Sequence, residues 1–300
     1  MSERPVTTVL FDLDDTLFDH RHSCMAGLRA MRDLMLCLDG VSDEKLEQTY
    51  HYWLELVHKR VLTGEVNSEE ARVERLTGFF GEFDHEVSEK ELSVATERYT
   101  GSYQKSRRTV PGSVEVLEAL SGQVKLGILS NNLVEHQLPK IKDLEIGQFF
   151  ESVTISEEAG AKKPEPEIFQ IAMERLASRP EETVMVGDSW ESDIVGATSF
   201  GIRSVWVNRY GIEIPDEGVP RYWIRFSRRR LRLKRSLMRD CGQRITSLFR
   251  SSSPVPEPGH VCRVGRCPGP ERPGKVGGRG RVRAGRGPFA WLRRERCPCL

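Results

Sequence analysis

The sequence predicts an α/β fold in which a doubly wound parallel sheet carries an inserted α-helical domain. Short apolar runs rich in β-branched residues recur along the chain, and patterns of helical period separate the later runs. Strands that alternate with helices in this way favour a parallel, Rossmann-like sheet covered on both faces. A long interval with helical periodicity alone follows the first run, which indicates the helical insert.

The elements of the predicted sheet follow one another in a regular order. Buried strands are predicted from the apolar runs at residues 6–11, 124–129, 183–186 and 204–207. Helices are predicted between the later strands, at residues 113–120 and 165–176. Another helix begins near Leu133, but Pro139 falls inside it, so this helix must kink, restart or be short.

The helical insert is predicted at residues 20–108. Its apolar residues step by three and four, so its Met and aromatic side chains are interpreted as core packing and not as a cofactor site. One of its helices has a capping-box start in Ser88 and Glu91, with Val87 and Leu92 spaced as a hydrophobic staple. Two apolar stripes of helical spacing are recognised in the insert. The first stripe is Leu28, Met31, Met35 and Leu38. The second stripe is Leu46, Tyr50, Trp53, Val57 and Val61.

Charge is distributed unevenly along the chain. The first 220 residues contain 23 Lys and Arg against 40 Asp and Glu, whereas the last 80 contain 22 against 4. The acidic part is a poor electrostatic partner for nucleic acid, so we expect a small molecule as its ligand. Only Cys24 and Cys37 lie in this part, and no secretory or membrane-spanning run is recognised, so a cytoplasmic protein without disulfides is predicted.

Residues suited to chemistry stand where the predicted strands and helices meet. Asp12, Asp14 and Thr16 come directly after the first strand. The others are Ser130 and Asn131 after the second strand, Lys163 before a helix, and Asp188 and Asp193 after the third strand. Taken singly, each has an ordinary explanation as a turn, capping or solvated residue. Four such groups in this order, at the edge where α/β sheets bind ligands, indicate an active site.

These groups resemble the four motifs of the haloacid dehalogenase superfamily, in the subgroup that has a helical cap between the first and second motifs. The resemblance extends over roughly residues 6–225 and rests on Asp12-x-Asp14-x-Thr16, Ser130, Lys163 and Gly187-Asp188-x4-Asp193. It implies an α/β core at residues 1–19 and 109–225 and a cap at 20–108. Residues 226–300 lie beyond the resemblance and form a tail of different composition.

The resemblance implies an Mg²⁺-dependent phosphatase that hydrolyses a small phosphorylated metabolite through an aspartyl-phosphate. Asp12 would be the nucleophile, and Asp14 would first protonate the leaving oxygen and then deprotonate the attacking water. Mg²⁺ would be held by the Asp12 and Asp188 side chains, the Asp14 backbone carbonyl, and Asp193. The phosphoryl oxygens would be held by Thr16, Ser130, Asn131 and Lys163.

The second acid, Asp14, favours phosphoryl chemistry over dehalogenation, because a halide leaving group needs no proton. Thr16 at this position is typical of the phosphatases of the family. Two alternative functions remain open, a phosphotransferase or mutase and a non-catalytic binding protein. In the family the cap sets the substrate. Residues 19–22 lie where the cap begins and could contact a substrate, although a solvated linker is the preferred interpretation.

The composition changes from about residue 227, and beyond residue 220 Arg outnumbers Lys 20 to 2. Residues 226–249 could form a basic amphipathic helix for a membrane surface or an acidic partner, and the Arg/Gly stretch at 279–287 could bind RNA. The preferred interpretation is a disordered extension or an out-of-frame translation of GC-rich DNA. Five cysteines lie in this tail, but their spacing does not fit a zinc site.

Overall fold

A parallel β-sheet organises the chain in the computed structural model, which describes residues 5–213 and 223–224. Within these residues the sheet has six strands in the order β3-β2-β1-β4-β5-β6. The strands are β1 Thr8–Phe11, β2 Lys125–Ser130, β3 Ser152–Ile155, β4 Thr183–Gly187, β5 Arg203–Val207 and β6 Trp223–Ile224. Every neighbouring pair is parallel, so the predicted doubly wound α/β class is confirmed. The Arg-rich tail predicted at 226–300 lies outside the described residues.

Helices surround the sheet and also fill the interval between its first two strands. They are α1 His20–Arg32, α2 Asp43–Leu62, α3 Ser68–Gly81, α4 Glu89–Lys105, α5 Ser113–Leu120, α6 Val134–Asp143, α7 Ser156–Ala159, α8 Pro166–Arg175 and α9 Gly196–Ser199. A π-helical turn, Trp190–Val195, leads into α9, and short 3₁₀ turns occupy Leu36–Leu38, Gly147–Phe149 and Pro180–Glu182. None of the helices in the described part of the chain combines the length and apolarity needed to cross a bilayer.

The strand order creates a crevice at one edge of the sheet. The chain leaves β1 towards β2 and β3 and then returns to the other side of β1, where β4 pairs with it. At such a switch of direction the connections on either side diverge, and ligands bind outside the carboxyl ends of the strands. The residues that follow β1 and β4 therefore face one another across this crevice.

Both faces of the sheet are buried, as expected of parallel strands. Side chains alternate along β1, so Val9 and Phe11 pack on one face with Leu117 of α5 and Ile141 of α6. Leu10 points to the opposite face. There it meets side chains of α8 and the neighbouring strands, among them Leu129, Phe169, Met173 and Met185.

The helices α1 to α4 build an apolar cluster of their own. The predicted first stripe is buried in it, and of the second stripe Leu46 and Tyr50 are buried while Trp53 packs against it. The core interpretation of the Met and aromatic stripes is therefore confirmed. The predicted capping box of Ser88 and Glu91 is present at the start of α4, and a second one, Asn67 with Glu70, begins α3.

The structure contains one strand that was not predicted, and it shows which form the helix with Pro139 takes. β3 was not predicted, because Ser152 and Thr154 interrupt its apolar residues and leave no continuous run. The helix around Pro139 takes the short form. Its ten residues run through Pro139, which stands at the sixth helical position.

Close packing of α1 on α4 gives a stability prediction at Gly27. A Cβ at this position would lie 2.6 Å from the Tyr99 ring and 3.0 Å from the Tyr99 carbonyl oxygen. We expect Gly27→Ala to lower the free energy of unfolding by about 1–3 kcal/mol, although alanine is the better helix former. Gly101→Ala in α4 is the control, because its Cβ would meet nothing within 4 Å and should stabilise by up to about 1 kcal/mol. Urea unfolding measures both, and equal stabilisation by the two would contradict this packing.

Candidate active site

Three carboxylates converge at the crevice between β1 and β4. Asp12 follows β1, Asp188 follows β4, and Asp193 lies in the π-helical turn. One carboxylate oxygen from each lies within 4.8 Å of the other two. Asp12 and Asp193 are buried and Asp188 is half-buried, so water screens their mutual repulsion poorly.

Lys163 is the cation that holds two of these carboxylates together. Its Nζ donates hydrogen bonds to Asp12 Oδ1 and Asp193 Oδ1, both at 2.7 Å, and to the Leu129 carbonyl oxygen at 2.8 Å. The residue is 4% exposed. Burial alone would lower the pKa of Lys163, but the carboxylates of Asp12 and Asp193 outweigh it and raise this pKa above its ordinary value. Lys163 therefore remains an ammonium ion.

The charges of this cluster do not balance. When all three carboxylates are ionised, they exceed the one ammonium ion of Lys163 by two negative charges. Burial, together with Asp193 and Asp14, raises the pKa of Asp12 to about 7 despite the opposing effect of Lys163. Burial and the charges of Asp12 and Asp193 likewise raise the pKa of Asp188 well above its usual range. Oxygen donors with two excess charges fit a divalent cation such as Mg²⁺, which would be held by these three side chains.

Asp14 is held by a different set of neighbours, on α6. Lys140 Nζ donates to its two carboxylate oxygens at 2.6 and 3.0 Å, and Gln137 Nε2 donates to Oδ2 at 2.9 Å. Burial would raise the pKa of Asp14, but Lys140 and His20 outweigh it and hold this pKa well below its usual range. In this substrate-free arrangement Asp14 is ionised. The protonated form expected for the first chemical step must therefore arise later.

The residues predicted to hold a phosphoryl group occupy three different environments. Ser130 ends β2, and its Oγ accepts a hydrogen bond from Gln137 Nε2 at 2.8 Å. Thr16 is buried, and its Oγ1 has no hydrogen-bond partner in the described chain. The Asn131 side chain instead bonds the backbone of Lys163, accepting from its N–H at 2.7 Å and donating to its carbonyl at 2.8 Å. In this structure the Asn131 side chain therefore positions Lys163, a role that the sequence prediction did not include.

Glycine is required where β4 ends. A Cβ on Gly187 would lie 2.2 Å from the Asp193 carboxylate carbon, so any side chain would displace that carboxylate. Asp193 is also fixed from the other side, because the Ser189 backbone N–H donates to its Oδ2 at 2.9 Å. The π-helical turn thus orients Asp193 towards Lys163 and Asp12.

The junction between the sheet and α1 is not a solvated linker, which corrects the interpretation of residues 19–22. Asp19 is buried and accepts hydrogen bonds from Arg108 at 2.7 and 2.9 Å and from Arg209 at 2.8 Å. Arg209 also bonds Asp15 at 3.2 Å. Asp19 therefore ties together both crossings to the helical insert and the loop after β5. Arg21 is exposed and pairs with Glu47.

A family model for haloacid dehalogenase-like hydrolases matches residues 6–201. The chain belongs to this family. It is 32% identical over 212 residues to the glyceraldehyde 3-phosphate phosphatase of Methanothermobacter thermautotrophicus, an alignment that covers 67% of this chain and 84% of the relative. It is 30% identical over 203 residues to the ribulose-1,5-bisphosphate 5-phosphatase of Halopiger xanaduensis, covering 66% of this chain and 83% of the relative. The resemblance to phosphatase-like members of the family is confirmed.

The solved structures give the same fold. The magnesium-bound HAD-hydrolase YfnB of Bacillus subtilis superposes with a TM-score of 0.62 at 21% identity and covers 80% of this chain and 100% of its own. The L-2-haloacid dehalogenase of Xanthobacter autotrophicus superposes with a TM-score of 0.54 at 23% identity, covering 69% of this chain and 79% of its own. At these identities the likeness establishes the fold, which hydrolases of different chemistry share.

The pairing of Asp14 with Lys140 gives a prediction about pH. The folded-state pKa of Asp14 is below the unfolded value of 3.8, so its ionisation stabilises the fold above that pH and this stabilisation is lost on acidification. Lys140→Met removes the cation and raises that pKa. We expect the loss of unfolding free energy in Lys140→Met to grow by about 2 kcal/mol between pH 3 and pH 6.5. Urea unfolding at both pH values measures it, and a loss independent of pH would contradict the pairing.

Proposed function

We propose that this protein is an Mg²⁺-dependent phosphatase that hydrolyses a small phosphate monoester through an aspartyl-phosphate on Asp12. The observation that carries the proposal is the cluster of three carboxylates, Asp12, Asp188 and Asp193, in which the Lys163 ammonium ion bonds Asp12 and Asp193. Two relatives named as phosphatases of small phosphorylated sugars support the reaction type. The magnesium reported for the structurally similar YfnB supports the choice of metal.

Asp12 is the residue suited to attack phosphorus. Phosphate monoesters hydrolyse very slowly in water, so catalysis needs a positioned nucleophile and neutralised charge. Lys163 fixes one oxygen of Asp12, which leaves the second oxygen of that carboxylate to form the new bond. A bound Mg²⁺ would favour the ionised form of Asp12 and offset its repulsion from the phosphate. In the attack, the Asp12 oxygen bonds to phosphorus as the bond from phosphorus to the leaving oxygen breaks.

Asp14 supplies the proton transfers at the same site. The charge of a bound phosphate opposes that of Lys140 and raises the pKa of Asp14, so that it can carry the proton that the leaving oxygen requires. Once the leaving group departs, the ionised Asp14 held by Lys140 and Gln137 is the form that deprotonates the attacking water. The water oxygen bonds to phosphorus as the bond from phosphorus to the Asp12 oxygen breaks, which releases phosphate and restores the Asp12 carboxylate. Ser130 can donate its own hydroxyl proton to a phosphoryl oxygen, because its lone pair already accepts from Gln137.

The helical insert, residues 20–108, is proposed as a cap over this site. Ser68 Oγ donates to Glu135 Oε1 at 3.0 Å, a contact that brings the start of α3 onto α6, which carries Gln137 and Lys140. A cap in this position would exclude bulk water from the site while Asp12 attacks phosphorus. Within the described residues Cys24 and Cys37 form no disulfide, as is usual for proteins of the cytoplasm, the setting proposed from the sequence.

The decisive experiment is Mg²⁺-dependent release of phosphate from a generic aryl phosphate by the full chain. We expect Asp12→Asn to lower kcat by roughly 10³-fold or more, because an amide cannot act as the nucleophile. Asp39→Asn is the matched control, since Asp39 is exposed and lies in the helical insert, and it should retain full turnover. Retained turnover in Asp12→Asn would rule out this nucleophile. A phosphoryl group that ends on an added alcohol instead of water would identify a phosphotransferase.

A further inference from the structure

Arg75 of α3 has no anionic partner within the described residues. Its Nε is buried without a hydrogen-bond partner, and its guanidinium carbon lies 5.2 Å from the centre of the Tyr50 ring. The ring face attracts a cation but does not satisfy the N–H donors of the guanidinium. A partly buried arginine without an anion costs free energy. A bound anion would satisfy the Arg75 guanidinium, and the described residues do not supply one.

A row of packed side chains links Arg75 to Asp14. From Arg75 the row comprises Tyr50, Tyr99, Tyr103 and His20, with successive ring centroids 5.1–6.0 Å apart. Tyr50 and Tyr99 are buried in the apolar cluster of α1 to α4, whereas His20 Nδ1 ends the row 3.8 Å from Asp14 Oδ1. Arg75 thus packs against an aromatic cluster whose other end contacts the proposed phosphate site.

The same arginine acts electrostatically on the core helix α6. Burial lowers the pKa of His136 on this helix, and the positive charges of Lys140, Arg72 and Arg75 lower it further, against Glu135. Burial also lowers the pKa of His58 on α2, with Arg75 and His136 acting in the same direction and Glu55 and Asp14 opposing them. Arg75 of the helical insert and Lys140 of α6 therefore both act on His136, and Lys140 itself bonds Asp14.

We propose that Arg75 forms a second anion subsite of the active site. The substrate is then a phosphate monoester that carries another anionic group, a carboxylate or a second phosphate, at the other end of a short molecule. This inference rests on the proposed phosphatase function and adds the substrate class. Arginine is suited to the role because its planar fork of N–H donors matches both carboxylate and phosphate.

Lys140 does not fill this role, although it lies in the same region. Its ammonium is already neutralised by the two oxygens of Asp14. Arg75 and Arg72 have no carboxylate partner within the described residues, and Arg75 is the one with the buried, unsatisfied Nε. A substrate without a second anion would leave this N–H unpaired, so the site should discriminate strongly against neutral analogues.

The test compares matched pairs of phosphate monoesters. Phosphoglycolate is paired with 2-hydroxyethyl phosphate, and propane-1,3-diyl bisphosphate with 3-hydroxypropyl phosphate, so that the two pairs distinguish a carboxylate from a second phosphate. We expect the wild-type protein to prefer the more anionic member of at least one pair by roughly 10- to 100-fold in kcat/KM. In Arg75→Met this ratio should fall to about one, because the anion loses its charged hydrogen bonds.

Two further variants keep the test independent of folding. Arg75→Lys retains the charge without the fork of donors, so it should keep part of the preference. Arg98→Met replaces an exposed arginine of α4 and should leave the ratio unchanged. Thermal unfolding of each variant confirms that the compared proteins are folded.

The outcomes separate this subsite from the function on which it rests. Hydrolysis of an aryl phosphate by the wild type, with no preference for the anionic esters or with a preference that survives in Arg75→Met, overturns the subsite and leaves the phosphatase intact. If wild-type protein with Mg²⁺ hydrolyses neither the aryl phosphate nor any of the four esters, the proposed function fails and the subsite fails with it.

Discussion

The hydrogen bonds from Lys163 to Asp12 and Asp193 are the interaction on which the rest of the site depends. They join the end of β1, the segment before α8 and the π-helical turn after β4, which are remote in sequence. Removing one partner of a buried pair of this kind costs about 3–5 kcal/mol, because the other charge is left without compensation. Two other features hold the partners of these hydrogen bonds in position. Gly187 leaves room for the Asp193 carboxylate, and the Asn131 side chain bonds the backbone of Lys163.

Two aspartates two residues apart acquire opposite properties from their neighbours. Asp12 shares one lysine with another buried carboxylate, so burial and repulsion dominate and its pKa rises to about 7. Asp14 has Lys140 to itself, with Gln137 as a further donor, and its pKa is lowered. Such a divergence suits the two roles proposed for these residues, a nucleophile and a proton-transfer group side by side. The described chain supplies the cation for Asp14, but for Asp12 and Asp188 only part of the charge is compensated.

The sequence was informative wherever chemistry coincided with a strand end. Asp12, Ser130 and Asp188 were found because apolar runs stop directly before them, and parallel strands bring their carboxyl ends to one edge. Gln137 and Lys140 were missed. They lie three residues apart on one face of α6, but Pro139 between them obscured the helix, and such side chains usually lie in solvent. The burial of Asp19 depends on Arg108 and Arg209, which are remote in sequence. Arg75 lacks an anionic partner among the described residues because of packing across helices. Neither feature leaves a local signal in the sequence.

The central claim is that the excess of two negative charges at the cluster is compensated by a divalent cation. Thermal unfolding with increasing MgCl₂, at constant ionic strength, tests it without any assumption about substrate. A cation that binds only the folded state at 100 times its Kd adds about 2.7 kcal/mol, and each kcal/mol shifts Tm by about 2–4 °C in a domain of this size. The account predicts such a shift in the wild type and its loss in Asp188→Asn. An unchanged Tm, or an equal shift in both proteins, would contradict it.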